Sequence, residues 1–187
     1  MWMYKGQDPI WIDERNNYPD FKIMVFAGVV HDSIVGPYFF EGNLNSRMYA
    51  EFLRRVFFPE LQRVAPNVYF QQDGAPPHFA ARVRRLLNHH FPNRWIGRGG
   101  PIPWPGTSPD LTICDYGLWG DIKARVKKMD NINKEALIAN ITEVRRNYPR
   151  ANLRRAQEQL ELRFRKCIEH QGGNCQAFLR QGRNRQR

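Results

Sequence analysis

The sequence has 187 residues, 29 Lys and Arg against 18 Asp and Glu, and a formal net charge of +11. That length allows a core, since a domain of about 150 residues buries roughly 70% of its unfolded surface, and 42% hydrophobic with 13% aromatic residues excludes a wholly disordered or collagen-like chain. The longest apolar run, Ile23 to Val30, is far below the ~18 to 20 residues that span a bilayer, and the start does not read as a signal peptide. The expectation is therefore a soluble intracellular protein with no membrane partner. Cys114, Cys167 and Cys175 are too few and scattered for a disulfide framework, no CxxC pair marks a zinc site, and Cys167 with His170 is only a fragment of a metal set.

Residues 1 to 20, with Asp8-Pro9 and Tyr18-Pro19, read as irregular or short extended pieces. Lys22 to Val30 is a β-rich apolar run that suits a strand buried on both faces, and His31 to Gly36 turns it into a second strand, Pro37 to Phe40, as an antiparallel pair. Tyr49, Phe52, Leu53, Val56, Phe57 and Leu61 follow at helical spacing. Asn67 to Gln71 is a third strand, ending at Gln72-Asp73-Gly-Ala-Pro-Pro-His78, and Phe79, Val83, Leu86 and Leu87 mark a helix reaching about Phe91. Strand, polar loop and helix in that order are an α/β signature. Arg94 to Gly97 is a short fourth strand, and Gly99 to Gly106 is too rich in Gly and Pro to be regular.

Ser108 as N-cap, Pro109 at the first helical position and Asp110 beside the positive helix end then predict a helix with an inner stripe of Leu111, Asp115, Leu118, Trp119, Ile122 and Val126. Two further helical patterns follow: Ala136, Leu137, Ile141 and Val144, then Leu153, Ala156, Leu160, Phe164, Cys167 and Ile168, closed by Gly172-Gly173. The last eight residues, from Arg180, read as disordered. From Arg145 to Arg187 the net charge is +9, which leaves +2 for the rest. Such a segment is either a polyanion surface, since Lys and Arg release counterions condensed on phosphates, or a solvated helix face.

Two aspartates carry the chemistry. Asp115 lies inside an apolar stripe, where an unpaired charge is costly, so it is either salt-bridged or a metal ligand projecting from a helix. Asp73 follows a strand at its carboxyl end, the edge where open α/β sheets bind ligands; a simple Asp-Gly turn is the alternative. A strand-end Asp with a helix-face Asp suits hard cations such as Mg²⁺, and two metals about 4 Å apart can activate a hydroxyl and stabilise the leaving oxygen of a phosphodiester.

Gln72-Asp73-Gly-Ala-Pro-Pro-His78 followed by Trp104-Pro-Gly-Thr-Ser-Pro-Asp-Leu-Thr-Ile-Cys-Asp115-Tyr-Gly-Leu-Trp-Gly120 resembles the catalytic domain of mariner-superfamily DDE transposases. Val25 to Gly28, Gly36 to Gly42 and Phe91 to Pro101 resemble the same family, so the similarity runs from about Trp11 to Val126 and more weakly to Cys167. The resemblance implies a ribonuclease H-like fold: a mixed α/β sheet flanked by helices, with residues 1–128 as the catalytic core and 129–187 as a basic helical tail. It implies a nuclear endonuclease and strand-transferase acting on DNA with Mg²⁺ or Mn²⁺, as a homodimer. Asp73 matches the family's second catalytic carboxylate and Asp115 its third, both as metal ligands; Asp110 matches a helix-start residue. The first carboxylate lies upstream in the family, on a central strand, and no residue here fills that position: Asp8, Asp13, Asp20 and Asp32 fall outside the motif. The reading is thus a core without its first strand and with impaired strand cleavage; the alternative is a non-catalytic nucleic-acid-binding module. His78, Arg98, Arg154, Arg155, Arg163, Arg165 and Lys166 are the expected nucleic-acid contacts.

Overall fold

The apolar run after Lys22 forms the strand β1 (Met24–Val30), and a turn at His31 and Asp32 returns the chain as β2 (Ser33–Phe40). The two are hydrogen-bonded neighbours, and a connection this short permits only antiparallel pairing. His31 takes the left-handed φ of 48° that so tight a turn asks for. Val25, Phe26 and Ala27 are buried in succession. Successive side chains point to opposite faces, so the middle of β1 is covered on both sides. The structure, a computed structural model, describes residues 23–105 and 108–172; the expectations for residues 1–20 and 180–187 lie outside them.

Asn45 caps α1 (Ser46–Phe52), its Oδ1 accepting from the N–H groups of Arg47 and Met48 at 2.9 and 3.0 Å. The single helix expected through Leu61 is interrupted: Leu53–Phe57 is a π-helical turn, followed by α2 (Phe58–Val64). Pro59 accounts for the break. It has no N–H for the carbonyl of Arg55, and its ring would clash with that carbonyl in a regular helix, so the turn widens. Widening changes the phase, which buries both Phe57 and Phe58 and leaves Val56, expected inside, 43% exposed.

Next come β3 (Phe70–Gln71), α3 (Pro76–Phe79), α4 (Ala81–His90), β4 (Trp95–Gly97) and β5 (Ile102–Pro103). The three strands form a parallel sheet in the order β3-β4-β5, with Phe70 opposite Trp95 and Ile96 opposite Ile102. The Gly-Pro loop thus holds a short strand where the composition predicts none; Pro103, unable to donate, sits on the sheet's edge strand, where proline is tolerated. Trp95 is fully buried and donates from Nε1 to Asn88 Oδ1 at 2.8 Å. A Cβ on Gly100 would lie 2.8 Å from its ring, so only glycine lets the loop pass there.

The described residues divide into two compact units, 23–26 with 38–105 and 27–37 with 108–172. In the first, the core is largely aromatic. Phe26 lies 4.9 Å from both Phe52 and Phe57, ring centre to ring centre, and Phe70 lies 5.7 Å from Phe58 and 5.4 Å from Phe91. Such pairs each add about 0.5–1.5 kcal/mol beyond area burial.

The second unit opens with a 3₁₀ turn, Pro109–Leu111, and a π-helical segment, Cys114–Trp119, before α5 (Gly120–Val126), α6 (Lys134–Arg146) and α7 (Arg150–Glu169). Ser108 does not cap through its side chain. Instead its carbonyl accepts from Leu111 N and Thr112 Oγ1, both at 3.1 Å, which closes a tight turn and not an α-helical start. Leu111, Leu118, Ile122 and Val126 are buried as their spacing predicts, with Leu137, Ile141, Leu153 and Ala156. A Cβ on Gly117 would lie 2.7 Å from Ala156 Cβ, so α7 lies directly against the π segment. Polar ties join the same pieces: Tyr116 Oη donates to Ala156 O at 2.8 Å, Asn152 Nδ2 to Asp121 Oδ2 at 3.1 Å, and Arg145 Nη2 to Ile34 O at 2.6 Å. Ile168, expected on the inner stripe, is 78% exposed, because past Arg163 α7 buries no side chain. The helix ends in a Schellman turn, with Gln171 at φ 53° and Gly172 N donating to Cys167 O at 2.8 Å. Among the described residues no helix is long and apolar enough to cross a membrane.

Candidate metal centre and nucleic-acid interface

Asp73 stands just past β3, whose end is fixed by Gln72 N donating to Ile96 O at 2.9 Å. Its Oδ1 accepts from Ala75 N at 3.0 Å, an Asx turn, and lies 2.7 Å from His78 Nδ1. Pro76 and Pro77 start α3, and that single helical turn carries the His78 ring back onto the carboxylate. Gln72 ties the arrangement together: its Oε1 accepts from Tyr49 Oη at 3.1 Å and its Nε2 donates to His78 O at 3.0 Å. The Tyr49 ring lies 4.3 Å from the imidazole, tilted by 31°. Asp73 and His78 are 6% and 3% exposed.

Burial pushes the Asp73 carboxyl above its usual range, with the His78 hydrogen bond pulling the other way. Burial pushes the His78 imidazole below its usual value, against the pull of Asp73. The downward shift favours the neutral imidazole, which can donate from Nδ1 to the Asp73 carboxylate. Asp73 Oδ2 is buried and has no hydrogen-bond partner. An orphaned carboxylate oxygen is an expensive arrangement unless something cationic takes it, and a hard divalent ion is the ligand its chemistry fits.

Asp115 lies in the second unit, within the π-helical Cys114–Trp119, its N–H donating to Thr112 O at 2.9 Å. It is half-buried while Leu111 and Leu118, a turn away on either side, are buried. Asp110 sits in the 3₁₀ turn, and its carbonyl accepts from Arg163 Nη1 at 2.8 Å. No three His, Cys, Asp or Glu side chains come together as a metal cluster among the described residues.

The residues expected to contact nucleic acid lie in different settings. His78 is buried on Asp73, and Arg163 is buried with its guanidinium 4.0 Å from the Tyr116 ring centre. Arg154 pairs with Asp32 at 2.8 Å, Arg165 with Glu161 at 2.6 Å and Lys166 with Glu169 at 2.5 Å. Arg155 is exposed and bonded only loosely, to Asn152 at 3.4 Å. Arg98 is exposed, its guanidinium 4.3 Å from the Phe79 ring centre. Counting basic residues along the tail overlooks that Glu161 and Glu169, each one turn away, pair with Arg165 and Lys166.

A family model described as DDE superfamily endonuclease matches residues 1–138. The chain belongs to the DDE superfamily of endonucleases. Its fold is that of the Mos1 mariner transposase catalytic domain, a ribonuclease H-like α/β fold, which agrees with the mariner resemblance of the motifs. One matching structure, the Mos1 catalytic domain with raltegravir and Mg, is 22% identical over 81% of this chain and 76% of that one, with a TM-score of 0.69. The Mos1 paired-end complex with the left transposon end is 21% identical over 93% of this chain and 50% of that one, with a TM-score of 0.72. The Mos1 strand transfer complex is also 21% identical, with a TM-score of 0.70, and there the DDE chain spans 49% of its relative. No curated protein matches the chain in sequence.

Proposed function

We propose that this DDE endonuclease is the DNA-cleaving and strand-transferring part of a transposase, with Asp73 and Asp115 as ligands for Mg²⁺ or Mn²⁺. The observation that carries the reading is the buried, unpartnered Oδ2 of Asp73 at the carboxyl end of a parallel strand. Structures of the Mos1 catalytic domain with Mg and with Mn support the same cation class. When bound, such ions activate an attacking hydroxyl and stabilise the leaving oxygen of a phosphodiester. Asp73 is held in its rotamer by Ala75 N and His78, so His78 acts as a positioning residue and not as a DNA contact.

DNA is the partner this reading requires; the nucleus as the place of work and a pair of copies as the working form are what the mariner resemblance implies. Asp73 and Asp115 supply two of the three carboxylates that the mariner resemblance implies, so these 187 residues alone should cleave DNA poorly. The second reading, a non-catalytic nucleic-acid-binding module, is favoured by the +9 segment from Arg145 to Arg187, with Arg150 and Arg155 among its exposed described members. A nicking assay on supercoiled plasmid separates the two. Slow Mn²⁺-dependent nicking that Asp73→Ala or Asp115→Ala abolishes supports the nuclease; DNA binding with no nicking in any metal supports the binding module.

A further inference from the structure

Between Asp73 and Asp110 the sequence holds Arg82, Arg84, Arg85, Arg94 and Arg98 and not one Asp or Glu. No carboxylate of this segment can neutralise them, whereas in α7 Glu161 pairs with Arg165. Two of them converge on one ring. The guanidinium carbons of Arg84 and Arg98 lie 4.7 and 4.3 Å from the Phe79 ring centre, so the two cations are at most about 9 Å apart. Attraction to the ring face holds each of them there despite their mutual repulsion. Among the described residues neither guanidinium has an ion pair or hydrogen bond, and Arg84 Nε is buried with no acceptor. Gly99, at φ 72°, brings its backbone against this cluster: a Cβ there would lie 3.0 Å from the Phe79 ring and 3.1 Å from Arg84 Cδ. Among the described residues the cluster is therefore closely packed by Gly99 and without a partner anion.

Its place in the fold says which anion. β3 and β4 are parallel, so their carboxyl ends share an edge; Asp73 follows β3 through Gln72, and Arg98 follows β4 directly. A Cβ on Gly97 would lie 3.2 Å from Gln72 O, so the two strand ends touch. Phe79 in turn is the residue after His78, the partner of Asp73. Guanidinium groups present forked N–H donors that match phosphate oxygens. We propose that Arg84, Phe79 and Arg98 form a clamp for a backbone phosphate of the DNA strand, at the sheet edge that carries Asp73. The proposal rests on the reading of DNA as substrate, and it is independent of whether the chain cleaves.

The test is binding of a fluorescent DNA duplex to the 187-residue chain, by anisotropy in EDTA over roughly 50 to 200 mM NaCl. Replacing both arginines, Arg84→Gln with Arg98→Gln, should weaken binding about tenfold or more and reduce the salt slope by about 1, for the one phosphate no longer neutralised. Arg84→Lys with Arg98→Lys should keep the slope, because the charge is kept, and still bind several-fold more weakly, because the fork is gone. If the wild type binds and the Gln pair leaves both slope and affinity unchanged, the clamp is wrong while the DNA reading stands. If the wild type fails to bind duplex even at the lowest salt, the DNA reading falls and the clamp with it. Should the Gln pair lower the unfolding midpoint, the Lys pair decides: affinity equal to wild type then overturns the clamp.

Discussion

Replacing Asp73 by Asn in metal-free buffer should make the protein more stable at neutral pH. The carboxylate is 6% exposed, Oδ1 accepts two hydrogen bonds and Oδ2 none. An unsatisfied buried polar atom costs about 1–3 kcal/mol, more when charged. Asn keeps Oδ1 for Ala75 and His78 and removes the charge, although its Nδ2 inherits the orphaned position and the bond from His78 weakens. The net expectation is a gain of about 1 kcal/mol, which for a chain of this size raises the unfolding midpoint by roughly 2–4 °C. The pH dependence has a definite sign. Because the folded carboxyl titrates above its unfolded value of 3.8, wild-type stability falls as pH rises through the window between the two. The advantage of Asn is therefore full above that window and gone below pH 3.8. Thermal unfolding of both proteins in EDTA, at neutral pH and near pH 3.5, measures it. A loss of 1 kcal/mol or more for Asp73→Asn at neutral pH would refute the reasoning, since the carboxylate would then be a structural anchor and not a site waiting for a cation.

His78 gives the opposite pH trend: its folded value lies below 6.5, so stability is lost as pH falls from 6.5 toward that value, and His78→Gln should flatten this part of a stability-against-pH profile. Gly117→Ala forces a methyl to within 2.7 Å of Ala156 Cβ and should cost about 1–3 kcal/mol, read by urea unfolding. Trp95→Ala removes a fully buried indole and its bond to Asn88, and a loss of about 3–5 kcal/mol is expected in the same assay. Arg154→Ala, which breaks an exposed pair with Asp32, should change stability by less than about 1 kcal/mol.

The strands and helices that rest on strong apolar patterns are legible in the sequence, from β1 to the stripe Leu111, Leu118, Ile122 and Val126. What is not legible depends on contacts between distant residues or on a break in period. Pro59 lies in plain view, yet its effect on Val56 follows only when the widened turn is seen to bring Phe57 and Phe58 inward together. Ser108 fits the N-cap rule, but Pro109, Leu111 and Thr112 close a 3₁₀ turn on its carbonyl first. At the candidate site, Asp73 and Asp115 stand out by their strand-end and stripe positions, and His78 by its motif. That His78 serves Asp73 by hydrogen bonding, with Gln72 and Tyr49 behind it, requires the geometry. The acid-free arginine run after Asp73 is a readable signal, hidden when net charge is counted over a longer window.

The central claim, that Asp73 and Asp115 hold divalent metal, is tested most directly by titrating Mg²⁺ and Mn²⁺ against the thermal midpoint of wild type, Asp73→Ala and Asp115→Ala. A ligand that binds only the folded state stabilises it by about 2.7 kcal/mol at a hundred times its dissociation constant. The account predicts a saturable rise in the wild-type midpoint, larger with Mn²⁺ or Mg²⁺ than with the same concentration of Na⁺, and no rise in either variant. Equal midpoints with and without metal in the wild type, or an equal rise in all three proteins, would contradict it.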